Sequence, residues 1–387
     1  MITRRLFVAG TMAAAFVRTP AQAAESVKIG LILPMTGPFA STGRQVQAGI
    51  NAYMALNGST AGGKTVEVVL RDDAGVADQT RRIAQELVTS EGANLLMGFG
   101  LTPLALSVAP LITQARVPAI ITSATTSIIN TKSEYYARTS MAGPQSAVPV
   151  AIWAVENGIK RTVTLVTDYG PGHDIEKGFT DEYKAKGGEI VEAIRVPLQN
   201  PDFAPFLQRV RDAKPDALFV FVPSGVGALF MKQFIDRGLA EAGIRLIATG
   251  DVTDDDLLQN IGPAALGVIT GHFYSANHDS PENKAFVAEV RKANDNMRPN
   301  FMCVGGYDAM HLAYAALEKT GGDTDGTKLI EAMKGASWMS PRGPVSIDPA
   351  TRDIVQDIYI REVKEVDGEL YNVEFAKYEK IKDPFVK

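Results

Sequence analysis

From residue 27 the chain alternates short, almost continuous apolar runs with longer stretches whose apolar residues recur every three or four positions. The short runs predict strands at 27–33, 65–71, 95–97, 119–122, 162–167, 189–196, 217–221 and 245–248. The longer stretches predict helices at 43–57, 77–91, 104–114, 145–157, 175–186, 203–214 and 228–237. In the first of these, Val46, Ile50, Tyr53 and Met54 share one face. Strands apolar on both faces must be covered on both, which means parallel sheets flanked by helices, with right-handed crossovers.

Two segments break the alternation. Around 136–144 the chain reads Arg138-Thr139-Ser140 and then Gly143-Pro144; a second irregular segment spans 271–281, after which a helix resumes over 282–294. If both are crossings between lobes, each lobe is discontinuous in sequence. The tail holds two strand-like runs, 354–363 and 370–378, separated by Asp367-Gly368, a strong hairpin turn signal. A chain of 387 residues, 45% hydrophobic, exceeds what one core usually supports, so two domains are expected. The expected fold is α/β, with two similar lobes, each a parallel-rich sheet flanked by helices. Lobe 1 is assigned residues 26–142 and 275–352, and lobe 2 residues 143–274 and 353–387.

Composition narrows the compartment and the partners. Arg4 and Arg5 precede an apolar run over 6–16, and Ala21-Gln22-Ala23 offers a small-residue cleavage site, which together read as a cleaved signal peptide over residues 1–23. The run is shorter than the ~20 residues a membrane-spanning helix needs. Thr3-Arg4-Arg5-Leu6-Phe7 also resembles a twin-arginine signal, so export runs by the Sec route or by the twin-arginine route. Without residues 1–23, 36 basic residues face 44 acidic ones, a formal charge near −8 that repels nucleic acid. The single cysteine, Cys303, cannot form an internal disulfide.

Signatures of catalysis are missing. No Gly-x-Ser-x-Gly elbow follows a strand, no phosphate-binding Gly-x-x-x-x-Gly-Lys-Ser/Thr occurs, and Gly98-x-Gly100 lacks the third glycine of a dinucleotide loop. Of four histidines only His272 and His278 lie near each other in sequence, so neither a metal nor a cofactor is expected. Asp254-Asp255-Asp256 reads as the solvated first turn of a helix, where aspartates complement the helix dipole.

Four junctions carry a resemblance. They are Val27-Lys28-Ile29-Gly30 running through Leu33-Pro34-Met35-Thr36-Gly37-Pro38 to Gly43; Val117-Pro118-Ala119-Ile120-Ile121-Thr122-Ser123-Ala124-Thr125; Asp168-Tyr169-Gly170-Pro171-Gly172; and Thr249-Gly250-Asp251. In this order and spacing the chain resembles the branched-chain amino-acid class of periplasmic binding proteins, the solute receptors of ABC importers. The resemblance implies two lobes joined by a three-crossing hinge, a ligand in the cleft, an inner-membrane permease as partner, a monomer and no enzyme activity. The same fold also serves as a ligand-sensing receptor domain.

The residues themselves point to an anion site. Thr102 follows the strand over 95–97 and precedes a helix, so its hydroxyl and the free amides of that helix face one point. Ser123, Ala124 and Thr125 repeat the arrangement one strand later, although Ser and Thr also cap helices routinely. By resemblance, Thr102 and Thr125 hold a ligand carboxylate, the Ser123 carbonyl and Asp251 receive an amino group, and Tyr169 covers the ligand from the second lobe. Departures enlarge the pocket: Val222-Pro223-Ser224-Gly225 stands where amino-acid binders often place tyrosine, and Thr42 replaces a larger ring. Phe39 and Arg44 stand at the start of the cleft, with Leu101 and Met302 as candidate apolar walls. A roomier site favours an aromatic carboxylate such as 4-hydroxybenzoate, with leucine, isoleucine or valine as the alternative.

Overall fold

A computed structural model describes residues 26–386; the predicted signal peptide lies outside them. The first sheet is built from β1 (Ser26–Leu33), β2 (Thr60–Ala61), β3 (Lys64–Asp72), β4 (Leu95–Gly98), β5 (Ala119–Ile121) and β6 (Tyr136–Arg138). Their order is β2-β3-β1-β4-β5-β6, and only β2 runs antiparallel to its neighbour. Helices α1 (Ala40–Asn57), α2 (Ala77–Thr89) and α3 (Thr102–Ala115) connect these strands. The core between them gathers Ile29, Leu31, Leu96, Ile112 and Ile120, all essentially inaccessible. Near-continuous apolar runs become strands covered on both faces, as the pattern required.

The second sheet begins with β7 (Arg161–Thr167), β8 (Glu189–Val196), β9 (Ala217–Phe221), β10 (Arg245–Thr249) and β11 (Ile269–His272), all parallel. It continues through β12 (Ser337–Ser340), β13 (Gly343–Ile347), β14 (Ile354–Val366) and β15 (Glu369–Ile381), all antiparallel to their partners. The path is β12-β13-β14-β11-β10-β9-β7-β8, with β15 also on β14. Asp367 at φ 52° and Gly368 at φ 81° turn β14 into β15, the backbone a two-residue hairpin needs. Helices α4 (Gly143–Glu156), α5 (Gly170–Ala185), α6 (Ala204–Ala213), α7 (Ser224–Asp236) and α8 (Leu258–Ile261) belong with this sheet. The chain then returns to the first lobe through α9 (Pro281–Ala293), α10 (Phe301–Thr320) and α11 (Gly326–Met333).

The α/β two-lobed fold is therefore as expected, and the eight predicted strands all form. Residues 337–347, placed in lobe 1 on sequence, have a double allegiance: β12 and β13 hydrogen-bond into the second sheet, while Trp338 and Ile347 pack on the first core. Helix α10 has no counterpart among the predicted helices. It is buried on nearly every side and so lacks a polar stripe. Its Gly306 lies against the Val46 carbonyl of α1, where an added Cβ would come within 2.4 Å.

Three fully buried arginines pin the crossings. Arg342 pairs with Asp308 of α10 at 2.7 Å, donates to the Ser140 and Thr139 carbonyls of the first crossing, and reaches Gln356 of β14 at 2.9 Å. Its guanidinium also lies over the Phe273 ring of the second crossing. Arg138 contacts Asp353 at 2.7 Å, and Arg361 donates to the Tyr274 carbonyl. Buried guanidinium groups need this density of acceptors, because an unpaired charge there is prohibitive.

One further reading changes. The run Asp254-Asp255-Asp256 is not a solvated helical turn: it is a loop in which Asp254 and Asp255 are 2% and 1% exposed. His272 is wholly buried, whereas His278 bonds Glu374 at 2.8 Å, and no cluster suited to a metal ion occurs among the described residues. No helix among them is long and apolar enough to cross a membrane.

Candidate functional site

The carboxyl ends of the parallel strands of both sheets face one cleft, the place where α/β sheets hold ligands. After β4, Gly98 at φ 122° and Phe99 at φ 68° turn the chain sharply so that Gly100, Leu101 and Thr102 enter the cleft. Phe99 is fully buried, and a bulky residue in that region costs of order 1–3 kcal/mol, held by the packing around it. From β5 come Ser123, Ala124 and Thr125; from β7, Tyr169; from β9, Ser224; and from β10, Asp251. With Thr42 of α1, the cleft thus unites all nine residues singled out on sequence, in an empty volume of about 470 Å³ that includes its open mouth. Phe39 and Met302 line it too; Arg44 does not, and lies exposed on α1.

The polar geometry differs from the sequence reading in one respect. Thr125 does not begin a helix: the chain forms a loop there, then a six-residue 3-10 turn from Ser127, whose N–H donates to Asp174 of α5 at 2.8 Å. Ser-Ala-Thr-Thr-Ser has the composition of a cap, but the segment after it is too short to continue as an α-helix. Helix starts that do reach the cleft include those of α3, α5 and α7, through Thr102, Pro171 and Ser224. Their free amides supply partial positive charge from three directions. The contributions of α5 and α7 were absent from the sequence reading, though both helices follow strands of the parallel sheet.

Hydroxyls complete the lining. Thr102 Oγ1 and Thr126 Oγ1 lie 2.7 Å apart; the pair holds two protons and shares one, so one O–H remains to donate. Thr125 forms no side-chain hydrogen bond among the described residues, and Ser123 Oγ and Ser224 Oγ are buried without partners. Buried hydroxyls with unmet capacity on both sides of a cleft are an unfilled demand for hydrogen bonds. Among the described residues no lysine, arginine or histidine lines the cavity, so an anion there is balanced by dipoles and hydroxyls.

Asp251 is the one carboxylate in the lining among the described residues, and burial pushes it up to about 6, partly opposed by the Thr249 hydroxyl at 3.0 Å and by Arg361. Burial, reinforced by the Asp251 charge, also raises the Tyr169 phenol. The Tyr169 ring stacks on Phe221 at 6.2 Å with 14° between planes, giving the cavity a flat aromatic wall.

Residues 26–369 match the family model described as periplasmic binding protein. The chain belongs to that family. Among periplasmic binding proteins it is 48% identical over 369 residues to "Leu/Ile/Val-binding protein homolog 6" of Brucella melitensis biotype 1, covering 94% of each chain. A solute-binding protein of an ABC transporter from Rhodopseudomonas palustris BisB5, solved with 3,4-dihydroxybenzoic acid, is 57% identical with a TM-score of 0.91, over 93% of this chain and 99% of that one. An R. palustris solute-binding protein solved with 4-hydroxybenzoate is 42% identical, with the same TM-score and coverage. This periplasmic binding protein is thus kin to solute receptors of ABC transporters rather than to enzymes, and the family implies a periplasmic setting and a membrane permease as partner.

Proposed function

We infer that this protein captures a hydroxylated benzoate-type acid between its lobes and delivers it to an ABC permease in the inner membrane, as a monomer that neither binds nucleic acid nor turns its ligand over. The observation that carries the reading is the polarity of the cavity. At one end Thr102 and Thr125 offer hydroxyls beside the start of α3, suited to a carboxylate. Elsewhere in the lining Asp251 offers an acceptor, and the Tyr169–Phe221 wall suits a planar ring. The hydroxybenzoates held by the two R. palustris relatives have this shape. Ligand would dock on lobe 1 (26–142 with 275–352), and Tyr169, Ser224 and Asp251 of lobe 2 (143–274 with 353–387) would close over it, a population shift between open and closed forms. Residues 1–23 would act as the cleaved export signal, by either route named above.

Leucine, isoleucine and valine form the second reading, favoured by Asp251 as an acceptor for an ammonium and by the name of the Brucella relative. A thermal-shift panel separates the two: 4-hydroxybenzoate, 3,4-dihydroxybenzoate and benzoate on one side, the three amino acids on the other. Tight binding raises Tm by mass action. A Tm that rises only with the amino acids overturns the aromatic reading. Co-purification with a signalling kinase instead of a permease would indicate a sensor.

Two further outcomes are expected. Thr125→Ala should weaken 4-hydroxybenzoate binding by about tenfold or more, the loss of one charge-assisted hydrogen bond, with ligand-free Tm unchanged because that hydroxyl has no partner among the described residues. Calorimetry showing an unaltered Kd would remove Thr125 from the site. The pH dependence follows from Asp251. A ring hydroxyl donates to the ionised carboxylate, and with that carboxyl at about 6 only about a tenth remains ionised at pH 5. Affinity for 4-hydroxybenzoate should therefore fall about tenfold between pH 7 and pH 5, while the ligand's own carboxyl, titrating near the usual carboxylic range, stays charged. Benzoate, without the hydroxyl, should show no such loss; equal pH profiles for both would place the ring hydroxyl away from Asp251.

A further inference from the structure

The aspartate run 254–256 plays no part in the ligand contacts above, yet it is a place where the two lobes meet beside the cavity. Asn300, the residue that caps α10, donates through Nδ2 to both oxygens of Asp254, each at 3.0 Å. Both residues are at least 98% inaccessible. Asn300 Oδ1 in turn accepts from the Met302 and Cys303 amides at 2.9 and 3.1 Å, and its own N–H donates to Gln45 of α1 at 3.1 Å. The first turn of α10, held by that cap, supplies Phe301 and Met302 to the cavity wall.

On the other side, Asp254 belongs to the second lobe. Its Oδ1 also accepts from the Asp256 amide at 3.0 Å, and Asp256 Oδ2 accepts from Ser41 Oγ of α1 at 2.9 Å, a second link to the first lobe. The Ser224 hydroxyl, which lines the cavity, favours the ionised Asp254 carboxylate without forming a full hydrogen bond to it. One carboxylate therefore meets the cap that shapes the first lobe's wall and a hydroxyl of the second lobe's wall.

We propose that Asp254 is a positioning residue for ligand capture: by gripping Asn300 across the cleft it latches the lobes together and sets the Phe301–Met302 and Ser224 walls at the spacing the ligand requires. The inference rests on the cleft being the ligand site, and it adds a residue that does not touch the ligand. Isolated in a dry interior, the carboxylate is costly unless the donor arrives from the opposite lobe, so the closed arrangement satisfies it and an open one exposes it to water. Ligand binding and the Asp254–Asn300 contact thus favour the same closed form.

The test is a double-mutant cycle with Asp254→Ala and Asn300→Ala, read by 4-hydroxybenzoate binding kinetics, with leucine run in parallel. Each single variant should weaken binding about tenfold or more through a faster off-rate at nearly constant on-rate, and the double variant should be no worse than the poorer single one. Additive losses, or losses confined to the on-rate, would overturn the latch. Spin labels on Leu56→Cys of the first lobe and Leu229→Cys of the second, both exposed sites, read closure directly. The distance distribution of Asp254→Asn, the isosteric variant, should shift toward longer separations than wild type, and coincident distributions would defeat the proposal. If wild type binds neither probe, the ligand reading fails by itself, and the ligand-free distance distributions still decide the latch.

Discussion

Arg342→Ala should destabilise the protein by roughly 3–5 kcal/mol, the usual cost of leaving one partner of a buried ion pair alone. Asp308, fully buried, would keep Trp338 and Ser340 as donors but lose its counter-charge. The Thr139 carbonyl, Gln356 Oε1 and the Phe273 ring would lose the guanidinium at the same time, and the Ser140 carbonyl would keep only Gln356 Nε2, so the segments around 139–140, 273 and 356 loosen together. Arg342→Lys should rescue little, because one ammonium cannot span a planar fork's acceptors. Arg342→Met combined with Asp308→Leu should recover part of the loss, since the pair itself is expensive to desolvate. Urea unfolding measures each. A single-variant change under 1 kcal/mol would mean that the crossings are held by something else.

The second large effect concerns closure. Gly170, at the start of α5 in lobe 2, faces Thr126 of lobe 1 so closely that a Cβ would come within 2.8 Å of the Thr126 hydroxyl. Gly170→Leu should prop the lobes apart while leaving each one folded. Removing the second lobe's share of the cage forfeits about two charge-assisted hydrogen bonds, which corresponds to roughly a hundredfold loss of affinity. Ligand-free Tm should stay near wild type, because the glycine sits at a helix start with ordinary backbone angles. Ligand-bound scattering profiles identical to wild type would show that the lobes need not approach this closely.

Much of this architecture was legible because each strand's apolar run is local information: Ile29–Leu31 or Ala217–Phe221 must be buried whatever surrounds them. The cleft was legible in part for a related reason, since residues directly after parallel strands gather at one edge, which marked Thr102, whereas Tyr169 and Asp251 were marked by the resemblance to periplasmic binding proteins. The error at Thr125 has an equally local cause. Cap composition marks where a helix is permitted to begin, and cannot report that the following turn ends after six residues. Helix α10 escaped because burial on nearly every side erases the periodicity by which helices are read.

The amino-acid sequence by itself determined the strand and helix alternation, the need for two cores, and the set of residues placed at the strand ends that line the cleft. Only the tertiary structure decided what Asp254 faces, which hydroxyls are left unpaired, and that β12 and β13 pair with one lobe while packing on the other. The division follows from range. Periodicity and turn chemistry act over a few residues, whereas the partner of a buried carboxylate, 46 positions away for Asp254 and Asn300, is set by how two finished lobes meet.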